Sequence, residues 1–422
     1  MSEPRPFPID DVRRRFPALE RARGFLFFDN GAGSQIPDSV LEVVAEHLLA
    51  RNVQRGGPYR QSREVDETIV RARESVAALV NARSADEIAF GLNATSFIRA
   101  ISLAVGQTLE SRPEIIVSEI DHEANIATWL ALERVGARIL WWRRNPEDPL
   151  GPLHPADLEP LLSGRTRLVA CTMATNSTGT LIDVAEVARR ARAAGAEVFL
   201  DAVHYAPHGP IDVRALDCDY LVCSGYKVFA PHMGFAWCRR EAINRLPTFR
   251  EDFIPDVTPD KLEAGTYAYE NVAGMDAAVE YLEELGCRFL GASGKTATRT
   301  EVLQAAMKGI GDYERTLSSA LLEEVSRLPG ATVYGITDRE RLDERVPTVS
   351  FTVAGCASPA IAAGLAARDV GVRSGHMYSP RFLSQLCPLP EGAVRASLVH
   401  YNTASEVAQF GTALREVLDE LG

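Results

Sequence analysis

Short apolar runs recur along this chain, each stopping at small or polar residues, and stretches of helical period lie between them. Ile9 to Leu19 reads as a short helix. Gly24 to Phe28 is an apolar strand reaching Asp29-Asn30 and breaking at Gly31-Ala32-Gly33-Ser34. Ser39 to Arg51 is helical in pattern, residues 54–60 form a loop with two cations, Arg55 and Arg60, and an amphipathic helix runs from Val65 to Asn81. From there strand and helix alternate, the signature of a mostly parallel sheet. Ile88-Ala89-Phe90 leads into Gly91 to Ser96 and a helix ending near Val105. Ile115-Ile116-Val117 leads into Asp121 to Asn125, and Leu168 to Cys171 into Ala174 to Gly179. Val198-Phe199-Leu200 leads into Asp201 to His204, after a helix from Ala185 to Ala194 closed by Gly195.

The fifth strand is Asp219 to Cys223, and it stops at Ser224-Gly225-Tyr226-Lys227. A lysine directly after a buried strand is unusual, because the carboxyl ends of parallel strands are where ligands bind. An amine there suits imine chemistry, although from this segment alone a solvated surface lysine is the first reading. Singly, His122 suits a helix cap, Asn176 a turn and Asp201 a helix N-cap. Together they converge, since strands running one way bring His122, Asn176, Asp201 and Lys227 to one crevice. An imidazole to stack on a ring, an acid for a ring nitrogen, a helix start for a phosphate and an amine are what pyridoxal phosphate requires.

Composition narrows the class further. The 422 residues suffice for a large α/β domain and a smaller one. A formal charge of −12 argues against nucleic acid as a partner. Mean hydropathy of −0.07 and the lack of a run of ~18 apolar residues argue against a membrane span. Met1 to Pro8 has no apolar core of a secretory signal, so a cytoplasmic location is expected. Seven cysteines without a C-x-x-C pair read as buried thiols of a reducing compartment, and the eight histidines show no zinc spacing.

The order Asn93-Ala94-Thr95, His122, Asn176, Asp201 and Ser224-Gly225-Tyr226-Lys227 resembles the class V aminotransferases, within them the cysteine desulfurase-like group. Phe28-Asp29-Asn30, Ser118 to Asn125, Glu263-Ala264-Gly265-Thr266, Arg395-Ala396-Ser397 and Tyr401-Asn402-Thr403 extend the likeness over nearly the whole chain. The resemblance implies an α/β, fold type I protein with a mostly parallel central sheet in a large domain, 24–286. A smaller α+β domain would comprise 1–23 and 287–422. It also implies a homodimer acting on a small amino acid. Lys227 would form the imine and shuttle the Cα proton, Asp201 pair with the pyridine nitrogen, His122 stack on the ring, and Asn176 lie near the phenolic oxygen. Ala94, Thr95 and Ser224 would hold the phosphate, with Gly265 and Thr266 reaching the phosphate of the partner subunit. Arg395 would clamp the substrate carboxylate, with Arg373, His376, Asn30 and Arg55 also on the substrate side.

The chain departs from that group in telling places. Where the desulfurases carry a nucleophilic cysteine, Gly371 to Pro380 presents Tyr378, whose phenol cannot accept sulfane sulfur as a thiolate can. Cys387, nine residues on, is the nearest substitute. His204 stands for their glutamine near the phenolic oxygen and Tyr226 for the histidine before the lysine. The expectation is a lyase or transferase that cleaves at Cα or Cβ of a small L-amino acid without forming a persulfide. Departure from Cβ would leave an enamine to be protonated, hydrolysed or trapped by an electrophile, with Tyr378, Tyr226 or His204 supplying a proton. Transamination or racemisation is the alternative, and a non-catalytic interaction subunit a remote one.

Beyond the last strand of the large domain, Gly274 to Leu285 reads as a helix, 287–310 as helical, and Asp312 to Leu328 as a further helix. Strands follow near Thr332 to Tyr334, Thr348 to Val353 and Arg395 to Val399, with a helix near Pro359 to Arg368. Thr403 to Glu406 is a capping box opening the final helix.

Overall fold

The computed structural model describes residues 6–145, 152–387 and 390–422, so the opening residues read above for a signal lie partly outside it. Thirteen strands occur among the described residues. Strand β1 (Leu26–Phe27) precedes seven that form one sheet: β2 (Ile88–Gly91), β3 (Glu114–Ser118), β4 (Arg138–Trp142), β5 (Thr166–Thr172), β6 (Glu197–Asp201), β7 (Tyr220–Ser224) and β8 (Gly234–Cys238). Their order is β2-β8-β7-β6-β5-β3-β4. Strand β8 is antiparallel to both of its neighbours, and every other pair is parallel. Reversing direction twice across β8 returns β2 to the sense of β3 to β7. The five strand ends read from the sequence therefore do share one edge.

Alternate side chains of each strand feed two cores, as a sheet covered on both faces requires. Ile116, Leu200, Leu221, Cys223 and Phe235 face one core, while Ile115, Val117, Phe199, Tyr220 and Val222 face the other. Phe16 of the amino-terminal helices joins the first core, packing edge-on against Phe229 and Tyr281.

The second sheet is built from β9 (Ala331–Tyr334), β10 (Thr348–Val353), β12 (Arg373–Gly375) and β13 (Ala393–Ser397), in the order β12-β13-β10-β9, antiparallel throughout. Strand β11 (Val370–Gly371) pairs in parallel with β1. The apolar run before Asp29 is thus only two residues of strand, and Phe28 stacks on Phe410 of the final helix, Ala404–Leu421. The reading of 287–310 and 312–328 as separate helices is corrected: Arg299–Ser326 is a single helix, packed on Tyr269–Leu290. Glycines mislead here because they belong to the crossing. A Cβ at Gly309 would lie 2.4 Å from the Phe289 ring, and one at Gly286 2.0 Å from the Val302 carbonyl oxygen.

One glycine sets the site itself. A Cβ at Gly234, the first residue of β8, would meet the Asn93 carbonyl carbon at 2.5 Å. The missing side chain lets the helix start at Ala94 settle against the edge where β7 ends. No described helix is long and apolar enough to cross a membrane.

Gly234→Ala should force the Asn93 backbone away, destabilising the fold by about 1–3 kcal/mol as overpacked cores do. Chemical denaturation measures it, and an unchanged midpoint would contradict the close approach.

Candidate active site

The shared edge opens into a cleft of about 360 Å³. Its walls bring together Ala94, Thr95, His122, Asn176, Asp201, His204, Ser224, Tyr226, Lys227, Arg373, Tyr378 and Arg395. Each comes from a turn at a strand end or from the second sheet, where Arg373 and Arg395 are direct cross-strand neighbours.

Lys227 donates to the Gly31 carbonyl, and its amine is pushed down to about 7, first by burial and then by Arg395. Asp29 and Asp201 pull the other way. A near-neutral amine is a nucleophile at physiological pH. Asp201 accepts the Val203 amide (2.9 Å), and burial raises its carboxyl to about 6. Burial, Lys227 and Arg395 lower His122 to about 4, so its ring is neutral. The Ala124 amide donates to His122 Nδ1 (3.1 Å), which leaves the ring proton on Nε2.

Arg395 is 2 % exposed; Nη1 donates to the Asn176 carbonyl and Nη2 to Asp29, both at 2.9 Å, while Nε is buried with no partner among the described residues. Arg373 donates to the other Asp29 oxygen from Nε (3.0 Å) and Nη2 (2.7 Å). A Cβ at Gly31 would lie 3.0 Å from Arg395 Cζ, which is why the chain turns there without a side chain. Asp29 is the functional residue that sequence reasoning left without a role. Its signal was the apolar run that breaks at an acid.

The helix Ala94–Gly106 opens with a capping box, Asn93 Oδ1 accepting the Ser96 amide. The Ala94 amide donates to Ser224 Oγ (3.1 Å), and the Thr95 amide has no backbone acceptor among the described residues. That free amide at a helix start, with Ser224 beside it, fits a phosphate. Arg395, whose side chain lines the cleft, fits an incoming carboxylate.

Asn176 serves the loop opposite: Nδ2 donates to the Met377 carbonyl (2.6 Å) and Oδ1 accepts from Ser379 Oγ (3.0 Å). Met377 and Tyr378 both have positive φ, +53° and +59°, a strained backbone of the kind held at functional loops. The Glu123 amide donates to the Tyr378 carbonyl (2.8 Å), and the Tyr378 ring lies 5.7 Å from that of His122.

Five expected residues lie off the cleft wall. Asn30 is consumed internally, donating to the Ser397 carbonyl and Asn402 and accepting from Tyr401. His376 turns away to accept the Tyr378 amide, and Arg55 pairs with Asp66. Thr266 accepts from Gln54 (2.7 Å), and Gly265 beside it has φ of +64°. No cysteine lines the cleft among the described residues, and Cys387 is buried away from it.

A lysine, a buried acid, a neutral histidine and a phosphate-fitted helix start at one sheet edge define a pyridoxal phosphate-dependent enzyme of fold type I. The comparisons place it more narrowly. Residues 26–305 and 300–410 match the family described as aminotransferase class-V. The chain belongs to that family. It is 36% identical to the aminotransferase-like protein FGM3 of Gibberella zeae over 98% of this chain and 99% of that one. It is 30% identical to a probable cysteine desulfurase of Synechocystis over 96% and 95%. Its fold matches the crystal structure of the cysteine desulfurase CsdA of Escherichia coli with a TM-score of 0.83, at 26% identity, covering 99% of this chain and all of that one (100%).

Competitive acylation of the apoprotein, read by peptide mass spectrometry, should show Lys227 reactivity rising through about pH 7. Asp29→Asn or Asp201→Asn should lower that midpoint, because each acid favours the charged amine. A wild-type midpoint in the ordinary lysine range would contradict the buried setting.

Proposed function

We propose that this enzyme binds a small L-amino acid and cleaves a bond at Cα or Cβ, as a C–S lyase or β-decarboxylase, without forming a persulfide. The observation that carries the reading is the cleft's inventory: amine, acid and guanidinium are present, and a phenol, Tyr378, stands over His122 with no thiol on the walls.

The bound cofactor supplies an electron sink for charge developing at the substrate's carbon atoms. The protein's part is positional. Arg395 orients the substrate carboxylate through its fork, exchanging part of its bond to Asp29 for the new one. Lys227, once free, holds a proton at Nζ for delivery to Cα or Cβ, and Asp201 holds the ring nitrogen's proton. Tyr378, 56% exposed, sits where a leaving group departs toward solvent. Tyr226 and His204 offer further proton-bearing groups on the same walls.

Transamination is the second reading, favoured by the name of the fungal relative. We also read the enzyme as a cytoplasmic homodimer that binds neither nucleic acid nor membrane. Exposed Leu49, Leu92, Phe249 and Phe253 support a partner surface, seven unpaired cysteines a reducing compartment, and the acidic charge the lack of a nucleic-acid partner. In a dimer, Gly265 and Thr266 would serve the partner's phosphate.

The test incubates holoenzyme with L-cysteine, L-cysteine sulfinate, L-aspartate and L-alanine separately, without keto acid. Release of alanine or pyruvate with sulfide, sulfite or carbon dioxide is expected from at least one. Conversion of the cofactor to its amine form, without release, would overturn the lyase reading in favour of transamination. Arg395→Lys should raise KM about 10- to 100-fold by losing a charged, forked hydrogen bond. An unchanged KM would remove Arg395 from substrate binding.

A further inference from the structure

His204 lies in the turn after β6 and lines the cleft, and its Nε2 faces Thr348 Oγ1 at 3.0 Å. Thr348 opens β10, its side chain is completely buried, and this is the hydroxyl's one hydrogen bond among the described residues. A hydroxyl both donates and accepts, whereas each nitrogen of a neutral imidazole does only one of these. If Nε2 carried the ring proton, the Thr348 hydroxyl would accept it and its own hydrogen would be buried with nothing to receive it, a costly arrangement. If the hydroxyl donates to a bare Nε2, every buried group is satisfied. The ring proton then sits on Nδ1, which takes no partner among the described residues and is not sealed from the cavity.

The surroundings favour the neutral ring on which this accounting depends. Burial lowers its proton affinity, and His208, Arg395 and Lys227 act in the same direction. His208 packs edge-on against His204 with ring centres 5.7 Å apart, and is itself paired with the buried Glu314 (2.7 Å). Arg395 reaches the site from β13 and Lys227 from the turn after β7.

We propose that Thr348 is a positioning residue that fixes His204 as its Nδ1–H tautomer, so that His204 presents one permanent hydrogen-bond donor to an oxygen acceptor in the cleft, the phenolic oxygen of the bound pyridoxal ring. An amide side chain donates whichever way its neighbours lie. A histidine donates only if its other nitrogen is capped by a donor, and Thr348 provides the cap. The inference rests on cofactor binding and not on the lyase reading, so either can fail alone.

The test compares wild type with Thr348→Val, which removes the hydroxyl at nearly the same volume, and Thr348→Ser, which keeps it. Nitrogen-15 NMR of histidine-labelled apoprotein should show His204 protonated on Nδ1 in wild type and Thr348→Ser, and displaced toward Nε2–H in Thr348→Val. In the holoenzymes, the pH midpoint of the cofactor's visible absorbance should rise by about half a unit or more in Thr348→Val, the size of one lost hydrogen bond. In a His204→Gln background the same substitution should leave that midpoint unmoved, because the amide donates without the cap. An Nε2–H ring in wild type would overturn the proposal. So would an unmoved midpoint in Thr348→Val, or a shift that persists beside Gln at 204.

Discussion

Three basic side chains, Lys227, Arg373 and Arg395, converge on one cleft, and the site depends on what holds them there. Burying them uncompensated would be prohibitive. Asp29 spans both guanidinium groups, Arg395 through Oδ1 and Arg373 through both oxygens but more closely Oδ2, and it also acts on Lys227 together with Asp201. The balance is deliberately incomplete. The amine is left with a lowered proton affinity and Arg395 with a buried Nε that takes no partner among the described residues, so these residues alone do not neutralise the cleft. The proposed amino-acid substrate, an anion, would complete what Asp29 begins.

That charge balance ties the two sheets together. Asp29 follows β1, which pairs with β11, while the arginines stand opposite each other on β12 and β13. Asn176, from the edge of the large sheet, gives its carbonyl to Arg395 and its side chain to the loop carrying Tyr378. Arg395, the proposed carboxylate clamp, is therefore mechanically next to Asn176 and, through it, to the strained residues Met377 and Tyr378. This gives the loop a reason to be held in a conformation that side chains resist.

Much of this was legible because strand polarity does the assembling. Once five apolar runs are known to point one way, their following residues must meet, and His122, Asn176, Asp201, Ser224 and Lys227 line one cleft. What the pattern hid has physical causes. Strand β8 carries Gly234 and Ala236 and is defined by its pairing across β7 and β2 more than by a pattern of its own. The long helix Arg299–Ser326 keeps Gly309 and Gly311 because packing overrides propensity at a close crossing. Asn30 looked available as a polar residue at a strand end, yet its amide is spent on the chain around it. Thr348 gave no signal, since its part depends on a nitrogen 144 positions away in sequence.

The most direct test of the proposed bond cleavage, in its Cβ form, is turnover in deuterium oxide, with the product's carbon positions read by NMR. With whichever of the candidate amino acids is consumed, the account predicts deuterium in the methyl group of the alanine or pyruvate formed. A keto acid carrying the substrate's side chain intact, with no deuterium at Cβ, would contradict it.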